Sequence, residues 1–281
     1  MKKILSLSLA GLLFAVLSCS KSDAPAPTPV AAPTVADTPT SGQFQKRLLI
    51  EDFTGAWCGY CPRVSYSIDQ LKLQNVKIVP VALHHKSGSA SSDPYDVSTL
   101  ATPLRTQINL QGYPTAMLNR VTEWNSPENA NLNQAKNMVL NNCGLGLAMN
   151  STVSGGNINL DVKVKFAADF SGLSLVVYVL EDNLIYNQTN YTSFYGGTST
   201  IVGFDHDHVL RASLTNILGD ALVGSSANGQ TITKNFSIPV PANIANVAHM
   251  NFVAFVVDGT KKAINARAAN ANENQAFEVN P

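Results

Sequence analysis

Cys58 and Cys61 are separated by two residues, so their sulfurs can join and part within one turn of chain. If a helix begins there, its free N–H groups and dipole favour a thiolate at Cys58, lower its pKa and make it the attacking nucleophile. Cys61, one turn on, is then placed to displace whatever Cys58 has captured and to close the internal bond. Half a zinc site is one rival. The chain has no second CxxC, however, and Cys143 with the five histidines offers no orderly ligand set. A structural staple is another, but so short a loop removes little entropy from the unfolded chain. The spacing therefore points to a redox pair that needs neither a metal nor a cofactor. His206 and His208, two apart on an expected strand, would share a face that can bind a metal, although a polar strand face needs none. His84 and His85 follow a strand near the expected edge of the site, and Cys143 is expected as a buried free thiol.

The elements that must position this pair can be read from the flanking pattern. The apolar-rich stretch Arg47 to Thr54 ends at Gly55, and Val64, Ile68, Leu71 and Leu73 follow the cysteines at helical spacing. Pro62, directly after Cys61, removes an N–H from the first helical turn, where its loss is tolerated. Lys77 to His84 predicts a second buried strand whose pairing Pro80 limits. Ser98 to Leu110 predicts a helix interrupted by Pro103. Ala116 to Arg120 follows as a strand, a short strand is expected near Val121 to Trp124, and Glu128 to Asn142 predicts a helix. This alternation of strand and helix is that of an α/β domain over residues 44–143. Beyond about Gly144 the pattern changes to period two, most plainly in Ile158 to Phe166. Strands are expected near 145–153, 157–166, 173–181, 204–214, 230–238 and 250–258, giving an all-β antiparallel sandwich over residues 144–281.

Nineteen basic residues balance nineteen acidic ones, which excludes a nucleic-acid partner held by charge, and 45% hydrophobic residues suffice for a real core. Lys2 and Lys3, the apolar run Ile4 to Leu17 and the absence of acid make residues 1–18 a secretory signal too short for a comfortable membrane span. Val16-Leu17-Ser18-Cys19 resembles the bacterial lipobox. That resemblance implies cleavage before Cys19, acylation of its thiol, and anchoring to a membrane surface without spanning it. Pro25, Pro27, Pro29, Pro33 and Pro39 then mark residues 19–43 as the lipidated cysteine and a tether.

The residues around the CxxC resemble the thioredoxin superfamily over roughly residues 44–142. Trp57, Cys58, Gly59 and Cys61 match its active-site motif, with Tyr60 at a position where thioredoxin has proline. Asp52, six residues before Cys58, has the spacing of the family's buried acid, and adjacent Glu51 is the alternative for that role. Gly112-Tyr113-Pro114-Thr115 matches the cis-proline loop. The resemblance implies that Asp52 exchanges a proton with Cys61, that Pro114 is cis and packs on the cysteine pair, and that Trp57, Gly59, Tyr60 and Tyr113 line the substrate surface. The segment Phe53 to Pro62 is also similar to the outer membrane protein 28 related family of Bacteroidetes lipoproteins, as is Asp205 to Arg211. Together these imply a lipoprotein of the outer membrane, facing the periplasm or the cell surface. Its expected activity is thiol–disulfide exchange with cysteine-containing exported proteins or a redox partner protein. The alternative is a binding lipoprotein whose thioredoxin-like half is an idle scaffold and whose sandwich recognises a ligand.

Overall fold

Leu48–Thr54 forms β1, and all seven residues are buried because the strand is covered on both faces. Leu48 and Ile50 pack against Val64, Ile68 and Leu71 of the helix α1 (Pro62–Leu73), while Leu49 and Phe53 pack on the opposite side with Ala101 and Leu104 of α2 (Ser98–Gln107). Between the helices runs β2 (Ile78–His84), paired parallel to β1 in register Leu48 to Ile78 through Thr54 to His84. On the other edge β3 (Thr115–Leu118) runs antiparallel to β1 and turns into β4 (Thr122–Glu123), the short strand expected near Val121. The structure is a computed structural model and describes residues 38–87 and 93–281. The expected signal, Cys19 and the tether up to residue 37 lie outside the described residues. Residues 38–43 of the expected tether hydrogen-bond to the folded body, through Thr38 and Thr40 to the Asn142 side chain and Gly42 to the Asn280 carbonyl.

The expected helix Glu128 to Asn142 is much shorter. A 3-10 turn at Glu128–Ala130 is followed by α3 (Leu132–Lys136), after which the chain takes irregular form. Only Ala135 of α3 is fully buried, and Met138 and Val139 beyond Lys136 pack against the same core from irregular chain.

The second half is β-rich, as its alternation requires. β5 (Leu145–Ser154), β6 (Asn157–Phe166) and β12 (Thr231–Pro239) make a three-stranded antiparallel sheet in the order β12-β6-β5. Its apolar face, with Leu147, Met149, Leu160 and Val162, packs on Val177, Val179, Phe252 and Ala254 of β7 (Ser174–Glu181) and β13 (Met250–Val257). β7 and β13 do not stop at a domain edge. With β10 (Val209–Ser213) and β14 (Ala263–Asn270) they continue the sheet of the first half, in the order β14-β13-β7-β10-β2-β1-β3-β4, and β11 (Asp220–Ala221) pairs with β7. The described residues thus hold mixed and antiparallel sheets, with strands from both sides of position 143 in one sheet. The link is narrow: β10 is parallel to β2 only at Val209 and Ala82, beyond Pro80, as the missing N–H of that proline dictates.

β8 (Leu184–Thr189) and β9 (Thr200–His206) form a separate two-stranded hairpin. The expected continuous strand 204–214 is broken at Asp207 and His208. His208 takes a positive φ of 57°, letting the chain leave the hairpin at His206 and enter the large sheet at Val209.

Candidate functional site

The turn from β1 into α1 is where the two cysteines fall, and they are joined as a Cys58–Cys61 disulfide. Cys61 caps α1 and Pro62 takes its first turn, so the missing proline N–H falls where no helical partner was due. The Ala56 amide donates to Asp93 Oδ2 at 2.8 Å, and the Cys58 amide to the Gly55 carbonyl at 2.9 Å, which fixes the approach to the disulfide. Trp57 lies half-buried beside it. Its Nε1 donates to the His85 carbonyl, and its ring meets Tyr113 edge-on at 5.7 Å. Tyr113 also stacks on His85 at 5.1 Å, and the Tyr113–Pro114 bond is cis. Because Thr115 pairs with Phe53, Pro114 sits at the end of the sheet from which the cysteine turn departs.

Strand alternation separates Glu51 from Asp52. Glu51 points to the α2 side, where both its oxygens bind Arg120, at 2.8 and 3.1 Å. Asp52 points to the α1 side, is 3% exposed, and has an Oδ1 with no hydrogen-bond partner. Burial and then the charge of Glu128 push its pKa well above the usual carboxylate range, with Arg63 opposing. Of the two adjacent acids, Asp52 has the environment of a proton donor and acceptor.

Asp52 lines a cavity of about 360 Å³ shared by Ile68 and Asp69 of α1 and Phe204 and His206 of the β8–β9 hairpin. His84 lies beside it. Its Nδ1 binds Asp93 at 2.9 Å, and its ring meets His206 and Tyr95 edge-on. Burial alone would raise the Asp93 pKa, but the bond and charge of His84 and the amides of Ala56 and Tyr95 outweigh it and hold the carboxylate low. His84 is thus bonded into the support of the cysteine turn. Burial, then the neighbouring His84, lower the His206 pKa to about 3, so its ring is neutral. His208 instead pairs with Asp182 at 3.2 Å. The two histidines therefore do not share one strand face, and among the described residues no three His, Cys, Asp or Glu side chains gather as a ligand set. Cys143 is buried, and burial raises its thiol pKa.

A segment absent from the sequence reading completes the site. The end of β8 and the loop to β9, residues 188–195, form a strap across the cysteine turn. Gln188 Nε2 donates to the Cys58 carbonyl at 2.9 Å, the Thr189 amide to the Ala56 carbonyl at 2.8 Å, and the Tyr191 amide to the Gly59 carbonyl at 2.6 Å. The Tyr191 ring lies so close to Gly59 that a Cβ there would sit 2.2 Å from it, which explains the glycine. The Tyr60 ring, exposed on its outer side, meets Tyr191 edge-on at 5.6 Å. The only signal in the sequence was a run of aromatics in a polar segment, from Tyr186 to Tyr195.

The fold resembles that of HBP35 of Porphyromonas gingivalis, with a TM-score of 0.60 at 20% identity, covering 83% of this chain and 78% of that one. A domain of the outer membrane lipoprotein Omp28 from Porphyromonas gingivalis is also similar, at 17% identity and a TM-score of 0.31, covering 47% of this chain and 92% of that one. No curated protein matches the chain. The family model described as outer membrane protein Omp28 matches residues 101–275, which begin after the disulfide. That is more than half of the sequence, and so the chain belongs to the Omp28 outer membrane protein family and is located at the outer membrane.

Proposed function

We propose that the protein is a lipid-anchored thiol–disulfide oxidoreductase with a thioredoxin-like active site, acting on exported proteins through Cys58 and Cys61. Acylation of Cys19 would hold it at the membrane. The observation that carries the reading is a disulfide at the first turn of a helix with a buried carboxyl group, Asp52, whose pKa is raised by that burial, on the strand that leads into it.

In this reading a substrate thiolate attacks the Cys58 sulfur, a substrate–Cys58 bond forms, and the Cys58–Cys61 bond breaks. Cys61 leaves as a thiolate and takes a proton from Asp52. A second substrate thiolate then attacks the substrate sulfur of the mixed disulfide, and Cys58 departs as a thiolate. Two electrons pass from substrate to protein, and the same steps in reverse reduce a substrate disulfide. Tyr113, Trp57 and Tyr60 supply the aromatic surface around the exchange. The test is whether the purified mature chain, residues 19–281, reduces insulin or re-oxidises a reduced protein. Cys58→Ser is expected to abolish turnover, and Cys61→Ser to accumulate a mixed disulfide. Absence of turnover in both directions would remove the reading.

Burial of both cysteines, at 3% and 1% exposure, favours a second reading, in which the disulfide is idle and the protein is a binding lipoprotein. A reduction potential below about −300 mV, the range of inert structural disulfides, would support that one.

A further inference from the structure

The strap meets the cysteine turn as an extended peptide would. Thr189 and Tyr191, two residues apart, donate their amides to the Ala56 and Gly59 carbonyls, which lie three residues apart on the cysteine turn, so the strap follows the turn by backbone hydrogen bonds without a regular ladder. Tyr191 fills the space over Gly59, and Gln188 takes the Cys58 carbonyl. No other chain can use those carbonyls while the strap is in place.

Its attachments lie at the rim. Phe194 stacks on Tyr66 at 4.1 Å, and the Tyr195 hydroxyl donates to Asp69 at 2.9 Å. Between the hairpin and α1 lies the cavity of about 360 Å³, and the hairpin is anchored at the end away from the strap, by Leu184 and His206 against Tyr95 and His84. Ile185 and Val202 of the hairpin are exposed, as is much of the Tyr191 ring on the strap. The hairpin is a two-stranded sheet of its own, a form with little independent stability.

We infer that residues 188–195 are an internal pseudosubstrate, occupying the place where an extended polypeptide with an aromatic side chain docks, and that disulfide exchange requires the strap to lift. This rests on the oxidoreductase reading for its consequence in turnover, but its geometry stands on the strap alone. A protein substrate must compete for the same three carbonyls, whereas the folded strap keeps the disulfide from adventitious thiols at the cell envelope.

The experiment measures how fast dithiothreitol opens the Cys58–Cys61 disulfide in the mature chain, by acid quenching, alkylation and mass shift. Tyr191→Ala loosens the strap at the cysteines, and Phe194→Ala releases it at Tyr66, remote from the redox turn. Each variant is expected to open about tenfold faster than wild type, the scale of one lost aromatic contact, with an unchanged thermal midpoint as the check on folding. Opening rates equal to wild type in both folded variants overturn the strap. Faster opening accompanied by faster insulin turnover supports the inference in full. Faster opening without turnover in either direction upholds the cover and removes the oxidoreductase reading, so the two fail separately.

Discussion

The Asp52 pKa is raised because ionising the group would strand a charge in a buried place already under the influence of Glu128. A carboxylic acid whose folded pKa lies above its unfolded one binds more protons in the native state. Its contribution is therefore favourable at low pH, and stability falls as pH rises from about 4 towards the folded pKa, by about 1.4 kcal/mol for each pH unit. Asp52→Asn removes that slope while keeping the shape. The variant is expected to be more stable than wild type at pH 7 to 8, with the difference vanishing near pH 4, as urea melts across that range would measure; a constant difference at every pH would contradict it. At this scale the sequence was informative. The Cys58–Cys61 pairing, the burial of Asp52 and the cis Tyr113–Pro114 bond are found where short local motifs suggested them. What distinguishes Glu51 from Asp52 is the face of β1 each occupies, since Glu51 binds Arg120 and Asp52 leaves an oxygen without a partner.

Elements were legible where burial imposes a period. β6 alternates buried and unburied residues along its whole length, as Ile158 to Phe166 announced, and α1 buries Val64, Ile68 and Leu71 as its spacing required. The β8–β9 hairpin escaped because Ile185, Tyr186 and Val202 are all exposed, so apolarity there does not mark the inside. The break after His206 escaped for a different reason: one positive φ at His208 redirects a strand that reads as continuous. His206 anchors the hairpin by its ring, packed edge-on against Phe204, Tyr95 and His84. Since burial holds its pKa at about 3 against a usual value near 6.5, the unfolded chain binds a proton there that the native state refuses. Stability is then lost as pH falls from about 6.5 to 3, again at about 1.4 kcal/mol per pH unit. His206→Phe retains the ring and has room at the cavity, so it is expected to flatten this acid limb while leaving stability at pH 8 within about 1 kcal/mol. Chemical melts at pH 4 and pH 8 check both halves of the expectation.

The joining of strands across position 143 could not be read from the sequence, because alternation says which face of a strand is buried and nothing of which strand lies beside it. β10 was legible as a strand; that it would sit between β7 and β2, antiparallel to one and parallel to the other, was not. A buried ion pair of the first half, Arg120 with Glu51, reaches across the seam to side chains of the second. Arg120 follows β3, is fully buried, binds Glu51 of β1, and donates to the Tyr178 hydroxyl of β7 at 2.7 Å, with its guanidinium 4.7 Å from the centre of the Phe255 ring. Burial disfavours the cation, but Glu51 and the polarity of Tyr178 outweigh that and keep it charged. Truncating one partner of such a pair leaves the other buried and unpaired, at a cost of about 3 to 5 kcal/mol. If the seam couples the two halves, that cost must be felt on both sides of it. The two tryptophans, Trp57 and Trp124, lie in the first half, whereas most strand residues lie in the second, so tryptophan fluorescence and far-ultraviolet circular dichroism report on different parts of the molecule. Wild type is expected to unfold in urea with the two signals coincident, and Arg120→Ala to lower both midpoints together. A variant in which fluorescence shifts and the sheet signal stays at the wild-type midpoint would mean that the shared sheet joins two independently stable bodies.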